Sequence, residues 1–228
     1  IWKANGVRTA KWQLFTSSYE KLIKELTFPL IVKPNSEGSG IGIKSSSIVR
    51  SSKELKSAIS VVLNKYNQPA LVEEFLPGRE FTVAIIGNGN ESFTLPIVEV
   101  NFEAFPKDVP RVDTFEAKFV YGATGVAEMT KTEFCPAPVT AKLAKEINQA
   151  ALSAYHMIGC LDFGRVDLRM GSDGKVYVME INHPPGLMSD INESSFFTIA
   201  GRAAGFTFSQ MMGKIINSAI SRYTTTKT

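Results

Sequence analysis

The sequence is short of the residues that mark disulfide frameworks and metal fingers. Of 228 residues only Cys135 and Cys160 are cysteine, and only His156 and His183 are histidine. Neither pair has ligand spacing, and no CxxC occurs, so a structural zinc site is not supported. A dominant charge is missing too. With 25 basic and 22 acidic residues the net charge is +3, and no basic cluster suggests nucleic acid as a partner. Apolar runs never approach the roughly 20 residues of a membrane span. The start, Ile1 to Gly6, lacks a basic segment followed by an apolar one, so it does not read as a leader. It reads as the end of a helix closed by Gly6, within a longer parent. Two free thiols without a leader fit a reducing, cytoplasmic compartment.

What is present is an ordinary globular composition, 44% hydrophobic and 21% charged, enough for a full core. Apolar spacing predicts helices over 17–27, 52–63, 139–157, 194–204 and 207–223. It predicts strands over 30–33, 43–49, 70–75, 81–86, 94–100, 161–170 and 175–182. Strands and helices mix without strict alternation, so the fold class is α+β. Residues 101–138 form a long connection of weak periodicity, of the kind that usually serves function.

The hairpin 161–182 carries the most information. Side chains alternate faces along a strand. Arg165, Asp167 and Arg169 therefore share one face, and Glu180 and Asn182 share another, with Tyr177, Met179 and Ile181 opposite. A symmetric turn centred between Ser172 and Asp173 puts Arg165 opposite Glu180 and Asp167 opposite Val178. Arg165, Asp167, Glu180 and Asn182 then gather on one surface. Two readings follow from alternation. One is a surface hairpin with cross-strand ion pairs, each worth at most about 1 kcal/mol. The other is an oxygen-rich site for a hard cation such as Mg²⁺, with Arg165 beside it to stabilise phosphoryl charge. The stiff run Asn182-His183-Pro184-Pro185-Gly186 leaves the strand as a fixed loop would.

Upstream, Glu37-Gly38-Ser39-Gly40-Ile41-Gly42 offers backbone N–H groups without bulky side chains, which suits a phosphate. It is neither a P-loop nor GxGxxG, because Ile43 stands where both need glycine. Lys33 precedes it in a buried strand ended by Pro34. A lysine there either seeks an anion or reaches water along the strand end.

Taken in order, these segments resemble the ATP-grasp superfamily and its D-alanine:D-alanine ligase branch, from about Phe28 to Tyr223. Carrying the resemblance are Phe28–Pro34, Glu37–Gly42, Val72–Val83, Phe115–Phe119, Gly164–Asp167, Glu180–Asn182 and Pro185-Gly186. The resemblance implies two α+β subdomains clasping ATP between them. The central one, with its glycine-rich flap, spans 1–75; the C-terminal catalytic one spans 76–228. An upstream substrate domain is not part of this chain. Lys33 and Lys118 would bind phosphates under a flap of Ser39, Gly40, Ile41 and Gly42. Glu73, Glu74, Phe75 and Leu76 would meet the adenine, and Glu80 the ribose. Asp167, Glu180 and Asn182 would ligate two Mg²⁺ ions, with Mn²⁺ as a substitute. Arg165, Lys118, Ser39 and backbone N–H groups near Gly186 would be catalytic.

The activity so implied is carboxylate–amine ligation through an acyl-phosphate, within peptidoglycan or dipeptide synthesis. Its partners would be small carboxylate and amine substrates, and the family leaves room for a homodimer. Three positions depart from it. His183 stands where the family has a threonine, Phe119 stands where many members have tyrosine, and Ile191 aligns with the serine that holds the second substrate's carboxylate. Ser189, Ser194 and Ser195 are the candidate replacements. The acceptor therefore stays open, and two other readings remain: a non-catalytic nucleotide-binding module, and a ligase of another ATP-grasp branch. His183 reads either as a proton acceptor or as a loop anchor, and His156 as structural.

Overall fold

The computed structural model describes residues 1–38, 40–102, 133–190 and 195–225. The described chain separates into two compact units.

Residues 10–77, with Phe102, make one unit. Its strands are β1 (Trp12–Phe15), β2 (Leu30–Pro34), β3 (Ile48–Val49) and β4 (Ala70–Glu74), in antiparallel order β1-β4-β2-β3. Helix α1 (Ser52–Tyr66) covers one face. Leu55, Ile59 and Val62 on the helix pack with Leu30, Val32, Ala70 and Val72 on the sheet. Alternation then turns Ile31, Lys33, Leu71 and Glu73 to the other face. The helix starts at Ser52, as expected from the sequence, and runs on to Tyr66. Ser51 is the cap, accepting from the Glu54 N–H at 3.3 Å, while the Glu54 carboxylate takes the Arg50 N–H at 2.7 Å.

Residues 17–27 do not form the expected helix. Gln13 takes the Ile23 N–H at 2.9 Å and donates to the Lys21 carbonyl, and Glu20 takes the N–H groups of Thr16 and Ser17. Side chains thus occupy backbone groups that helical bonding needs. Leu22 and Leu26 still reach the core. The strand expected over 43–49 shrinks to β3, because the serines favour a 3₁₀ turn over Ser45–Ser47, with the Ser47 hydroxyl accepting from the Lys44 N–H at 3.0 Å. Strand β1 escaped the pattern since only Phe15 in it is buried.

Residues 1–9, 78–101, 133–190 and 195–225 make the other unit. Strands β5 (Glu80–Ile86), β6 (Phe93–Thr94), β7 (Val98–Val100), β8 (Glu133–Phe134), β9 (Phe163–Met170) and β10 (Val176–Asn182) form an antiparallel sheet. Its order is β10-β9-β5-β7-β8, with β6 beside β5. On one face, α2 (Ala141–Met157) packs Ile147, Ala151, Ala154 and Tyr155 against Phe81, Val83, Val166, Leu168, Val176 and Val178. On the other, α3 (Phe196–Ala203) and α4 (Phe208–Thr225) pack Phe197, Ala200, Met211 and Ile215 against Ala84, Ile86 and Val98. Truncating such residues costs roughly 2–5 kcal/mol. No helix among the described residues is long and apolar enough to cross a membrane.

The first nine residues pack with this second unit, not with the first subdomain as read from sequence. Trp2 Nε1 donates to the Ala154 carbonyl at 2.9 Å, the Arg8 carbonyl accepts from the Val178 N–H at 2.9 Å, and Thr9 bridges Val178. The chain passes between units at Pro77 and Gly78, two residues beyond the expected boundary.

Candidate functional site

The polar surface of the second unit is set by strand register. The turn after β9 is a three-residue loop, Ser172-Asp173-Gly174, closed by the Gly171 N–H on the Lys175 carbonyl at 2.9 Å. Gly174 takes the left-handed conformation, φ 73°, that this loop needs. Met170 therefore opposes Val176, half a residue off the symmetric turn. A second shift follows at Met179, where a bulge adds one residue to β10. Strict alternation would have put Val178 on the same face as Glu180. The bulge instead leaves Val178 buried in the core, turns Ile181 toward it, and keeps Glu180 and Asn182 on the polar face.

The predicted opposition of Arg165 with Glu180, and of Asp167 with Val178, is thus corrected. Asp167 opposes Glu180, Arg165 opposes Asn182, and Leu168 opposes Val178. Across β5 the rows continue as Thr82–Asp167–Glu180 and Ala84–Arg165–Asn182, with Glu80–Arg169 alongside. The expected gathering of Arg165, Asp167, Glu180 and Asn182 on one surface holds in this register.

Asp167 is the hub. Arg165 donates from Nε to Oδ1 at 3.0 Å and from Nη2 to Oδ2 at 2.8 Å. The Thr82 hydroxyl donates to Oδ1, and the Asn182 amide to Oδ2 at 2.9 Å. The same amide donates to Glu180 Oε1 at 3.3 Å. Charge-assisted bonds of this kind are about twice as strong as neutral ones. Thr82 escaped the sequence reading, although its alternation with Glu80 along β5 could have revealed it. Glu80 and Arg169 form a buried ion pair at 2.6 Å, their side chains 7% and 4% exposed.

This donor set fits a hard cation. All the candidate ligands can offer oxygen, and the two acids already draw a guanidinium and an amide N–H₂ as positive partners. With an ion between the acids, the Asn182 amide would turn its oxygen inward.

The loop after β10 is anchored. His183 Nδ1 lies 2.8 Å from the Phe163 carbonyl, and the His183 ring meets that of Phe163 edge-on at 6.0 Å. A carbonyl accepts only, so Nδ1 is the donor in this contact. Ser195, the residue before α3, is buried and donates its hydroxyl to the Gly186 carbonyl. Of the two described serines proposed to replace Ile191, Ser195 is tied to Gly186 and Ser189 is exposed. His156 faces the Ser92 hydroxyl at 2.7 Å, and that hydroxyl donates to the Gly89 carbonyl.

In the first unit, Lys33 and Glu73 are joined as an ion pair on the sheet face away from α1. The N–H groups of Glu74 and Phe75 are committed to the carbonyls of Lys11 and Pro29 at 2.9 and 3.2 Å. Leu76 is buried. In the glycine-rich segment the N–H groups of Ile41 and Ile43 close successive tight turns onto Gly38 and Gly40. Gly42 has φ 82°, and an added Cβ would lie 2.5 Å from Pro34, so only glycine fits. A cavity of about 370 Å³ beside this turn is lined by Val32, Lys44, Ala58, Val62 and Tyr66. It lies on the α1 side of the sheet, away from Lys33 and Glu73. Ser39, Lys118, Phe119, Ile191 and Ser194 lie outside the described residues.

Comparison with known proteins gives one consistent result. The model of the family described as D-ala D-ala ligase C-terminus matches residues 1–217. An uncharacterized protein of Sinorhizobium fredii is 33% identical over 223 residues, 98% of this chain and 61% of that protein. A D-alanine–D-alanine ligase of Methylacidiphilum infernorum is 33% identical over 86% of this chain and 56% of its own length. The crystal structure of D-alanine–D-alanine ligase from Bacillus anthracis complexed with ATP is similar with a TM-score of 0.68. It is 25% identical, and the likeness covers 96% of this chain and 63% of that one. The chain thus spans about three fifths of the length of the relatives it matches.

Proposed function

Since the chain belongs to the D-alanine:D-alanine ligase C-terminal family, we propose that it provides the nucleotide- and metal-handling part of an ATP-dependent carboxylate–amine ligase. The observation that carries this reading is the row Thr82–Asp167–Glu180 beside the row Ala84–Arg165–Asn182. Two acids and an amide meet there with a guanidinium. A surface hairpin held only by ion pairs would not need Asp167 fixed from both flanking strands.

Asp167, Glu180 and Asn182 would hold Mg²⁺, with Mn²⁺ as a substitute. When bound, the ion supplies charge neutralisation and orientation for phosphate oxygens. Lys33 would exchange Glu73 for a phosphate, and Ser39 to Gly42 would close over it. The segment Glu73 to Leu76 would meet the adenine, using backbone groups other than the two N–H groups already committed. Glu80 would take the ribose, its carboxylate steered by Arg169.

In the reaction, an oxygen of the donor carboxylate takes the γ-phosphoryl group and ADP leaves. An amine then attacks the acyl carbon, loses a proton, and phosphate departs. Arg165 balances charge on the acyl-phosphate and on the tetrahedral intermediate. Backbone N–H groups near Gly186 would share that load. Ser195, on releasing the Gly186 carbonyl, would donate its hydroxyl to the acceptor's carboxylate in place of the serine missing at 191, and Lys118 would come in on a closing loop that keeps water out. The two thiols and the small substrates suit the cytoplasm.

Phosphate release tests this in the natural full-length protein, with ATP, Mg²⁺ and a panel of D- and L-amino acids. Release that requires both a carboxylate and an amine, and is lost in Glu180→Gln, is expected. ATP binding without turnover would favour a non-catalytic module instead.

A further inference from the structure

Arg165 is constrained in two directions. Asp167 takes its Nε and Nη2 edge, and the ring of Phe196 lies under the guanidinium, 5.6 Å from Cζ to the ring centroid. The Arg165 side chain is 14% exposed, so little water competes for the contact. Phe196 opens α3, directly after Ser195. Its neighbour Phe197 is fully buried and meets Phe163 edge-on at 5.8 Å. Phe197 therefore anchors the helix in the core, while the half-buried Phe196 presents its ring to the site.

We infer that Phe196 is a positioning residue: its ring face holds the Arg165 guanidinium in the plane from which it meets the reacting group. A carboxylate edge alone lets a guanidinium rock about the axis through its hydrogen bonds. A ring face beneath it removes that freedom, since the cation is drawn to the negative face of the ring. Ser195, one residue earlier, is bonded to Gly186. The start of α3 thus ties the guanidinium to the Gly186 loop, whose N–H groups are proposed to share the charge of the reacting group. This purpose rests on the ligase reading; the contact itself does not.

Two measurements separate contact from purpose. The first is the Arg165 Nε–H resonance of this chain, compared among wild type, Phe196→Leu and Phe196→Trp. A ring-current-shifted, slowly exchanging signal is expected in wild type, lost in the leucine variant and recovered in the tryptophan variant. An unchanged signal in Phe196→Leu would overturn the inference. The second is turnover of the full-length protein carrying mono-, di- and trifluorophenylalanine at 196, which keeps the ring's size and drains its negative face. The expectation is a stepwise fall in kcat, about 3- to 30-fold in total, with KM for ATP nearly constant. A flat series beside an active wild type would overturn the catalytic purpose. Absence of turnover in wild type would overturn the ligase reading and that purpose together, leaving the contact to the resonance.

Discussion

Asp167 and Glu180 face each other directly across β9 and β10, and they do so because β10 carries one extra residue at Met179. With this sequence paired without the bulge, Glu180 would lie against the α2 core and Ile181 in the polar surface.

Deleting Met179 tests this. Removing the extra residue leaves Val178, Glu180, Ile181 and Asn182 in strict alternation, with Glu180 still opposite Asp167 and Ile181 still in the core, so the deletion should keep a cooperative urea transition. Inserting one further residue after Met179 should instead turn Glu180 and Asn182 toward Val166 and the core, where an acid is not tolerated, and abolish that transition. An insertion variant that still unfolds cooperatively with wild-type midpoint would contradict the register argument.

Glu180 and Asp167 should part company on stability. Asp167 accepts from Thr82, Arg165 and Asn182, so Asp167→Ala should cost roughly 2–4 kcal/mol, taking about 1.5–3 for lost hydrogen bonds to a charged group plus the stranding of its partners. Glu180 is exposed, and Glu180→Gln should change stability by less than about 0.5 kcal/mol while removing turnover. Urea unfolding beside phosphate release reads both.

The buried Glu80–Arg169 pair gives a third expectation. Glu80→Ala leaves a guanidinium in the interior and should cost about 3–5 kcal/mol. Replacing both by apolar residues of similar volume should restore most of that loss but not nucleotide binding. Denaturation together with ATP titration distinguishes the two effects.

Acid stability should depend on Asp162. A hydrogen bond from Arg222, helped by one from Asn88, holds its carboxyl below the usual carboxylate range. A lowered folded-state value means the contribution is complete above the unfolded value, about 3.9. It is lost as pH falls through the lower, folded one. Asp162 sits at φ 67°, a conformation that asparagine tolerates. Asp162→Asn should therefore weaken the protein at neutral pH and remove part of the stability loss below pH 4. An unchanged acid limb in the variant would exclude the Arg222 pairing as its source.

Period and punctuation made most of the fold legible. Leu55, Ile59 and Val62 announce α1, and the alternation of Arg165, Asp167 and Arg169 announces the polar face of β9. The units, caps and register were less legible, for physical reasons. Residues 17–27 have helical spacing, but the side chains of Gln13 and Glu20 claim their backbone. The bulge at Met179 has no local signature, since what fixes it is the need to bury both Val178 and Ile181. Lys33 and Glu73 were each readable as ligands, but their mutual pairing depends on β2 lying beside β4. Phe196 looked like any apolar residue of an amphipathic helix until α3 was placed over Arg165.

The most direct test is Mn²⁺ titration of the isotope-labelled chain with ADP present. If the two acids and the amide form the cation site, backbone resonances of Asp167, Glu180 and Asn182 should broaden first, and Glu180→Gln should abolish the effect. Broadening centred elsewhere, or undiminished in that variant, would contradict the assignment.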